Sequence, residues 1–281
     1  MQNSAVKLGI IAGGGSIPRQ LVTACKNLQR PFFLMCLEGQ ADPSLTEGLP
    51  HAWIHLGAGQ KLKQLVAEHG IGEIVMIGRV RRPSLLELKP DWLALKVVTR
   101  IGINMLGDDA FLRSVSHAIE EETGAKIIAV QDVMTDYLTP AGLLGKVDLD
   151  DDARLDMQRG LEVAQILGQA DVGQSVVVQQ GLVLGVEAIE GTDALIVRCG
   201  ELQRDGVRGI LVKTAKPQQD DRFDLPTIGP DTVQVLVDAG LRGIVMQAGR
   251  SLLVDRMRTI EMADTAGIFI YGHVRESDHG G

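Results

Sequence analysis

Within seven residues, Glu187-Ala-Ile-Glu190-Gly191-Thr192-Asp193 sets three carboxylates, a hydroxyl and a glycine side by side. Acids this close repel one another unless a cation, or a donor such as a lysine, shares the site. No cysteine or histidine cluster stands beside them, so a hard cation held through oxygen, Mg²⁺ or Mn²⁺, suits them best. Farther on, Lys213, Lys216, Asp220, Asp221, Arg222 and Asp224 gather in a Pro-containing stretch that runs through Thr227, Ile228 and Gly229 to a helix start at Pro230. Cations alternating with carboxylates on a loop that enters a helix suit a phosphate gripped through both metal and lysine. Either segment alone also reads as a solvated loop; together they point to a site.

Two further stretches suit an anion. Gly13-Gly14-Gly15-Ser16-Ile17-Pro18 follows a first apolar run and precedes an amphipathic one, where a doubly wound fold puts its phosphate loop. The dinucleotide fingerprint asks for a third glycine where Pro18 stands, which disfavours a nicotinamide or flavin oxidoreductase, although Glu38 is placed to meet a ribose hydroxyl. Gly78-Arg79-Val80-Arg81-Arg82-Pro83 follows the run 73–77, so its arginines fall at the carboxyl edge of the sheet. The ordinary readings are a tight turn for the first stretch and a solvated basic loop for the second. The six histidines show no metal-ligand spacing, and Ser175 and Thr192 have no histidine nearby in sequence and no Gly-x-Ser-x-Gly elbow.

The elements that must position these groups alternate in the first half. Strands at 7–12, 31–37, 52–56, 73–77 and 126–130 are spaced by helices at 19–28, 61–69, 92–103 and 111–122, with Asp109 as N-cap of the last. That order predicts an α/β fold, with an N-terminal Rossmann-like parallel-sheet domain over 1–134. Periodicity fades over 135–152, read as a linker, and a second C-terminal α/β domain carrying the acidic cluster follows over 153–281. Its expected helices are 153–167, 230–239 and 256–265. Its expected strands are 175–179, 183–188, 195–198, 209–212, 243–247 and 267–270.

With 281 residues, a formal net charge of −8 and only five Phe, two Trp and two Tyr, the chain lacks the basic field and stacking platforms of a nucleic-acid binder. Cys25, Cys36 and Cys199 are too few and scattered for a disulfide framework and are expected to pack as apolar residues in a reducing cytoplasm. No run approaches the roughly 18 apolar residues of a membrane span, and the start lacks a signal-peptide pattern.

The order Leu8-Gly-Ile-Ile-Ala-Gly-Gly-Gly, Gly107-Asp-Asp-Ala-Phe-Leu-Arg, Asp171-Val-Gly-Gln-Ser-Val-Val-Val, Val186-Glu-Ala-Ile-Glu-Gly-Thr-Asp and Phe223-Asp-Leu-Pro-Thr-Ile-Gly resembles the UDP-2,3-diacylglucosamine pyrophosphatases of the lipid A pathway. These are the metal-dependent two-domain type, unrelated to calcineurin-like phosphatases. The likeness runs from about Lys7 to Gly272. It implies hydrolysis of UDP-2,3-diacylglucosamine to UMP and lipid X with Mg²⁺, water attacking the β-phosphorus and the lipid held between domains. It puts the aspartate most closely tied to catalysis at Asp224. Combined with the residues themselves, the expected catalytic groups are Asp224, Lys213 and Lys216, and the expected metal ligands Asp224, Asp193 and Glu190. Gly13, Gly14, Gly15, Arg82, Asp109, Gln174, Glu187, Glu190, Gly191 and Thr192 are expected to meet substrate. The rival classes are a Rossmann-type oxidoreductase and a non-catalytic nucleotide-binding or sensing module.

Two acyl chains need an apolar groove. Leu138, Leu143, Leu144 and the apolar stretch 92–103 are its candidates, with core packing the ordinary reading. A homodimer is expected, and peripheral contact to the cytoplasmic face of the inner membrane is expected if that groove opens outward. Detergent-free flotation reads this directly: the protein should rise with liposomes, and a protein left at the bottom of the gradient would count against membrane contact.

Overall fold

The computed structural model describes residues 6–81, 90–101, 108–217, 222 and 225–275. It divides into two compact units, Met1–Thr135 with Asp220–Asp224, and Asp136–Gln219 with Leu225–Gly281. The first contains β1 (Leu8–Ala12), α1 (Ile17–Asn27), β2 (Phe32–Leu37), β3 (His51–Ile54), α2 (Gly59–His69), β4 (Glu73–Ile77), α3 (Trp92–Ile101), α4 (Asp108–Thr123) and β5 (Lys126–Ile127). Its five strands are parallel in the order β3-β2-β1-β4-β5. Every residue of β1 is buried, which is why it reads as a continuous apolar run without alternation. One core joins Ile11, Met35, Ile74 and Ile127 of the sheet to Leu62, Leu65 and Val66 of α2. The strand order reverses between β1 and β4, so the loops after these two neighbours stand together at the carboxyl edge.

The second unit contains β6 (Gly142–Leu144), α5 (Asp151–Gln169), β7 (Ser175–Gln179), β8 (Leu182–Val186), α6 (Thr192–Glu201), β9 (Ile210–Lys213), β10 (Thr227–Ile228), α7 (Pro230–Asp238), β11 (Gly243–Gln247), β12 (Leu252–Leu253), α8 (Arg256–Ala266) and β13 (Phe269–His273). Six strands form one sheet in the order β6-β13-β11-β9-β7-β8, and β10 and β12 form a separate parallel pair. Strands β9, β11 and β13 are mutually parallel, while β6, β7 and β8 are each antiparallel to the neighbour they join. On one face, Val177, Leu211, Ile244 and Ile270 pack with Leu195 and Ile196 of α6 and Val233 and Leu236 of α7. On the other lies α5, where Gly160 is needed: a Cβ there would sit 2.4 Å from the Val212 side chain.

Four sequence expectations change. The apolar run at 195–198 is helical, inside α6, because Leu195, Ile196 and Cys199 are buried at helical spacing while Val197 is exposed. A short apolar run has no period of its own to tell helix from strand. The strand expected over 126–130 stops at Ile127, since the Asp132 carboxylate takes the Ala129 N–H at 3.1 Å and turns the chain into a 3₁₀ segment, Val130–Asp132. Helix α4 starts at Asp108, so Asp109 is its second residue and not its N-cap. The stretch read as a linker holds β6, whose Gly142, Leu143 and Leu144 pair with Gly272, Tyr271 and Ile270. The buried, unpaired cysteines match expectation, and burial pushes the Cys25 and Cys36 thiols up to about 11.

Asp150 caps α5 by accepting the Ala153 N–H at 2.8 Å and also pairs with Arg242, and these donors, Arg242 foremost, hold its carboxyl below the usual range. Asp150→Ala should lower the unfolding free energy at neutral pH by about 1 kcal/mol. A depressed carboxyl stabilises above its unfolded pKa and ceases to as pH falls through its folded one. Urea titrations of the two proteins should therefore converge as the pH falls through the range in which the Asp150 carboxyl takes up its proton.

Candidate active site

Polar residues in the second sheet collect at one edge. The parallel strands β9, β11 and β13 end in Lys213, Gln247 and His273, antiparallel β7 begins there at Ser175, and β8 returns to it just before Glu187. Lys213 is 8% exposed and Glu187 7%, so both are largely withdrawn from water. Burial of such groups is tolerated only when each finds partners.

The partners come from α6 and the neighbouring loops. Gly191, at φ +81°, turns the chain so that Thr192 opens the helix. The Thr192 hydroxyl donates to Glu187 Oε1 at 2.7 Å and accepts from Lys213 Nζ at 3.0 Å. Lys213 Nζ also donates to the Thr227 carbonyl at 3.2 Å. Glu187 Oε2 accepts the Gln174 backbone N–H at 3.2 Å, and Ser175 Oγ lies 3.3 Å from Thr192 Oγ1. The fold thus joins Gln174, Glu187, Thr192 and Lys213, which the sequence had offered from three separate segments.

Glu190 stands apart from that network. Its carboxylate accepts from Arg198 at 2.7 Å and from the Ala188 N–H at 3.1 Å. Its own backbone N–H, then Arg198, lower its pKa. Asp193 lies in the first turn of α6, where a carboxylate favours the helix dipole. Lys216 pairs with Asp171 at 2.5 Å. The repulsion anticipated among the clustered acids is thus relieved at Glu190 by Arg198 and at Glu187 by Thr192.

In the first unit the glycine turn and the loop after β4 are stitched together. Gly14 and Arg79 exchange two backbone hydrogen bonds of 2.8 Å, and Gly13 N–H donates to the Ile77 carbonyl at 2.8 Å. A Cβ at Gly13 would meet the Arg79 carbonyl oxygen at 2.5 Å, and one at Gly78, at φ +99°, would meet the Gly14 carbonyl oxygen at 2.8 Å. Two of the three glycine amides therefore serve the turn itself. Gly15 is exposed, with φ +89° and open space about it, just ahead of α1, whose N-cap Ser16 makes no side-chain cap bond. Glu38 is exposed at the end of β2.

Arg82 and Asp224 lie outside the described residues, and Asp109 is placed only by its backbone in α4. Among the described residues no three His, Cys, Asp or Glu side chains group closely enough to hold a metal ion. Glu187 and Glu190 each accept from protein donors at both oxygens. Ser175, Thr227 and Gln247 were not foreseen as site members. A polar residue ending an otherwise apolar strand, as Gln247 does after Gly-Ile-Val-Met, was the available signal.

A two-unit α/β protein with buried charges at the carboxyl edge of a parallel run belongs to the class that binds polar ligands at such edges. Residues 7–137 match the LpxI N-terminal domain and residues 140–271 the LpxI C-terminal domain. The UDP-2,3-diacylglucosamine pyrophosphatase LpxI of Caulobacter vibrioides is 41% identical over 274 residues, 95% of this chain and 97% of that protein. This chain belongs to the LpxI family. A leucoanthocyanidin reductase–NADPH complex from Vitis vinifera is a faint structural neighbour, at TM-score 0.27 and 19% identity over 42% of this chain and 47% of the reductase.

Thr192→Val keeps the shape of the side chain but leaves Lys213 and Glu187 each short of a partner. It should cost about 1–3 kcal/mol in urea unfolding, with Thr192→Ser recovering most of it. A Val variant as stable as the parent would remove Thr192 from the network.

Proposed function

We propose that this protein hydrolyses the pyrophosphate bond of UDP-2,3-diacylglucosamine to UMP and lipid X in lipid A biosynthesis. The observation that carries this reading is the 41% identity to a protein of that name across nearly the whole of both chains, with both family domains matched in order. In the reaction a water oxygen bonds to the β-phosphorus as the bond to the UMP phosphate oxygen breaks, so the new oxygen stays on lipid X. The pyrophosphate is anionic, and Lys213 at the sheet edge, steadied by Thr192 and Thr227, is suited to neutralise charge on a phosphoryl oxygen. Asp224 is assigned to orienting the water or holding a cation, and the glycine turn with Arg82 to nucleotide or phosphate. Mg²⁺, with Mn²⁺ as substitute, is proposed as the cation; when bound it would offset phosphoryl charge.

The lipid half calls for apolar surface, and Trp92 and Leu95 on α3 are exposed while Leu93 turns inward. No helix among the described residues is long and apolar enough to cross a membrane. Peripheral membrane contact and a homodimer complete the reading, the first tested by flotation and the second by light scattering.

Incubation of the purified protein with UDP-2,3-diacylglucosamine and Mg²⁺ should release UMP, followed by chromatography, and excess chelator should abolish the release. Asp224→Ala should lose most turnover at saturating Mg²⁺ while unfolding like the parent. Near-normal turnover in that variant would overturn the assignment of Asp224, and no UMP from the folded parent with any divalent metal would overturn the activity.

A further inference from the structure

Gln247 ends β11 in the middle of the second sheet, with β13 on one side and β9 on the other. It is 3% exposed. Its Oε1 accepts the Ala215 backbone N–H at 3.2 Å, which settles which end of the amide carries oxygen. The other end, Nε2, is a buried donor without a hydrogen-bond partner. Buried donors are nearly always satisfied, so an orphan at a ligand-binding edge calls for an explanation.

A second orphan stands across the same two residues. Gln174 accepts the Thr214 N–H at its backbone carbonyl at 3.0 Å, and its side-chain Oε1 is buried without a partner. Thr214 and Ala215 are consecutive, so the backbone carbonyl of Gln174 meets them from the β7 side and the carboxamide of Gln247 from the β11 side. The edge thus holds an unused donor and an unused acceptor. A phosphate oxygen would satisfy Gln247 Nε2 but leave Gln174 Oε1 without a donor. A neutral group that both accepts and donates satisfies both, and a hydroxyl or an imide is such a group.

We propose that Gln247, with Gln174, recognises a neutral donor–acceptor group of the substrate and so helps to set its specificity. The proposal rests on the pyrophosphatase reading and adds a substrate contact to it. A UDP-sugar offers this chemistry twice, in the uridine half through its imide and ribose hydroxyls, and in the hexosamine half through its free hydroxyls. The two halves are separated by the reaction, so the products themselves distinguish the sources.

Gln247→Glu keeps an acceptor for Ala215 and removes the donor; Gln247→Met removes both and serves where the buried carboxylate upsets folding. A variant that unfolds like the parent should lose about 10–100-fold in kcat/KM. Inhibition by one product should weaken by a similar factor while the other is unchanged, UMP if the uridine half is read and lipid X if the hexosamine half is. Parental kcat/KM in a folded variant, equal weakening for both products, or failure of both variants to fold would each overturn the proposal. If the parent releases no UMP, the activity reading falls by itself. Calorimetric binding of UMP and lipid X to parent and variant then decides Gln247: loss of one ligand supports it, and unchanged affinities for both overturn it.

Discussion

Lys213 and Glu187 are both drawn out of water at one sheet edge, and the hydroxyl of Thr192 joins them, accepting from the ammonium at 3.0 Å and donating to the carboxylate at 2.7 Å. A hydroxyl has one proton to give. With that proton committed to Glu187, the 3.3 Å contact with Ser175 runs from Ser175 to Thr192. The bonds therefore have one direction, from lysine and serine through threonine to glutamate. The position of that hydroxyl is in turn set by packing: Leu195, Ile196 and Cys199 hold α6 against the sheet, and Gly191 brings the chain round so that the first helical residue is Thr192. Buried apolar area thus fixes the geometry of two buried charges, which is how a sheet edge can hold them at all.

Much of the first unit was legible because its strands are short apolar runs closed by glycine or charge and separated by amphipathic helices. β4 and β11 fall at their expected residues, and β1 within one residue of its expected start. What was not legible depended on partners far away in sequence. The run around Leu195 has strand-like composition, and only the bodies it packs against decide that it is a helix. β6 is three residues long and exists because β13 offers it a free edge. At the candidate site, the acidic cluster was visible, but that Glu190 belongs to Arg198 and Glu187 to Thr192 is a consequence of α6 being a helix. Gln247 went unnoticed because one amide at the end of an apolar strand carries no motif.

The two units meet the need for polar contact differently. In the first, glycines let the loops after β1 and β4 bond to each other through their backbones, so most of what the triple glycine supplies is closeness at the reversal of strand order. In the second, side chains at the ends of buried strands do the work. Apolar residues fill the strand interiors, where there is no water, and polar ones appear only where the ladder ends and backbone and side chain can share partners.

A chain of net charge −8 is an unpromising binder of anions if charge is taken as a total. The second unit shows why the total misleads. Glu187 is occupied by Thr192 and Gln174, Glu190 by Arg198 and Ala188, and Asp171 by Lys216. Each of these acids is already paired with a donor of the protein, and Glu190 is held ionised by its own backbone N–H and Arg198 rather than left to repel. With Glu190 and Asp171 ion-paired locally and Glu187 held by neutral donors, Lys213 and amide dipoles such as that of Gln247 contribute to the field at the sheet edge. Cation and amide stand on neighbouring strands, β9 and β11, a single ladder spacing apart, an arrangement suited to a ligand that is anionic in one part and neutral in another.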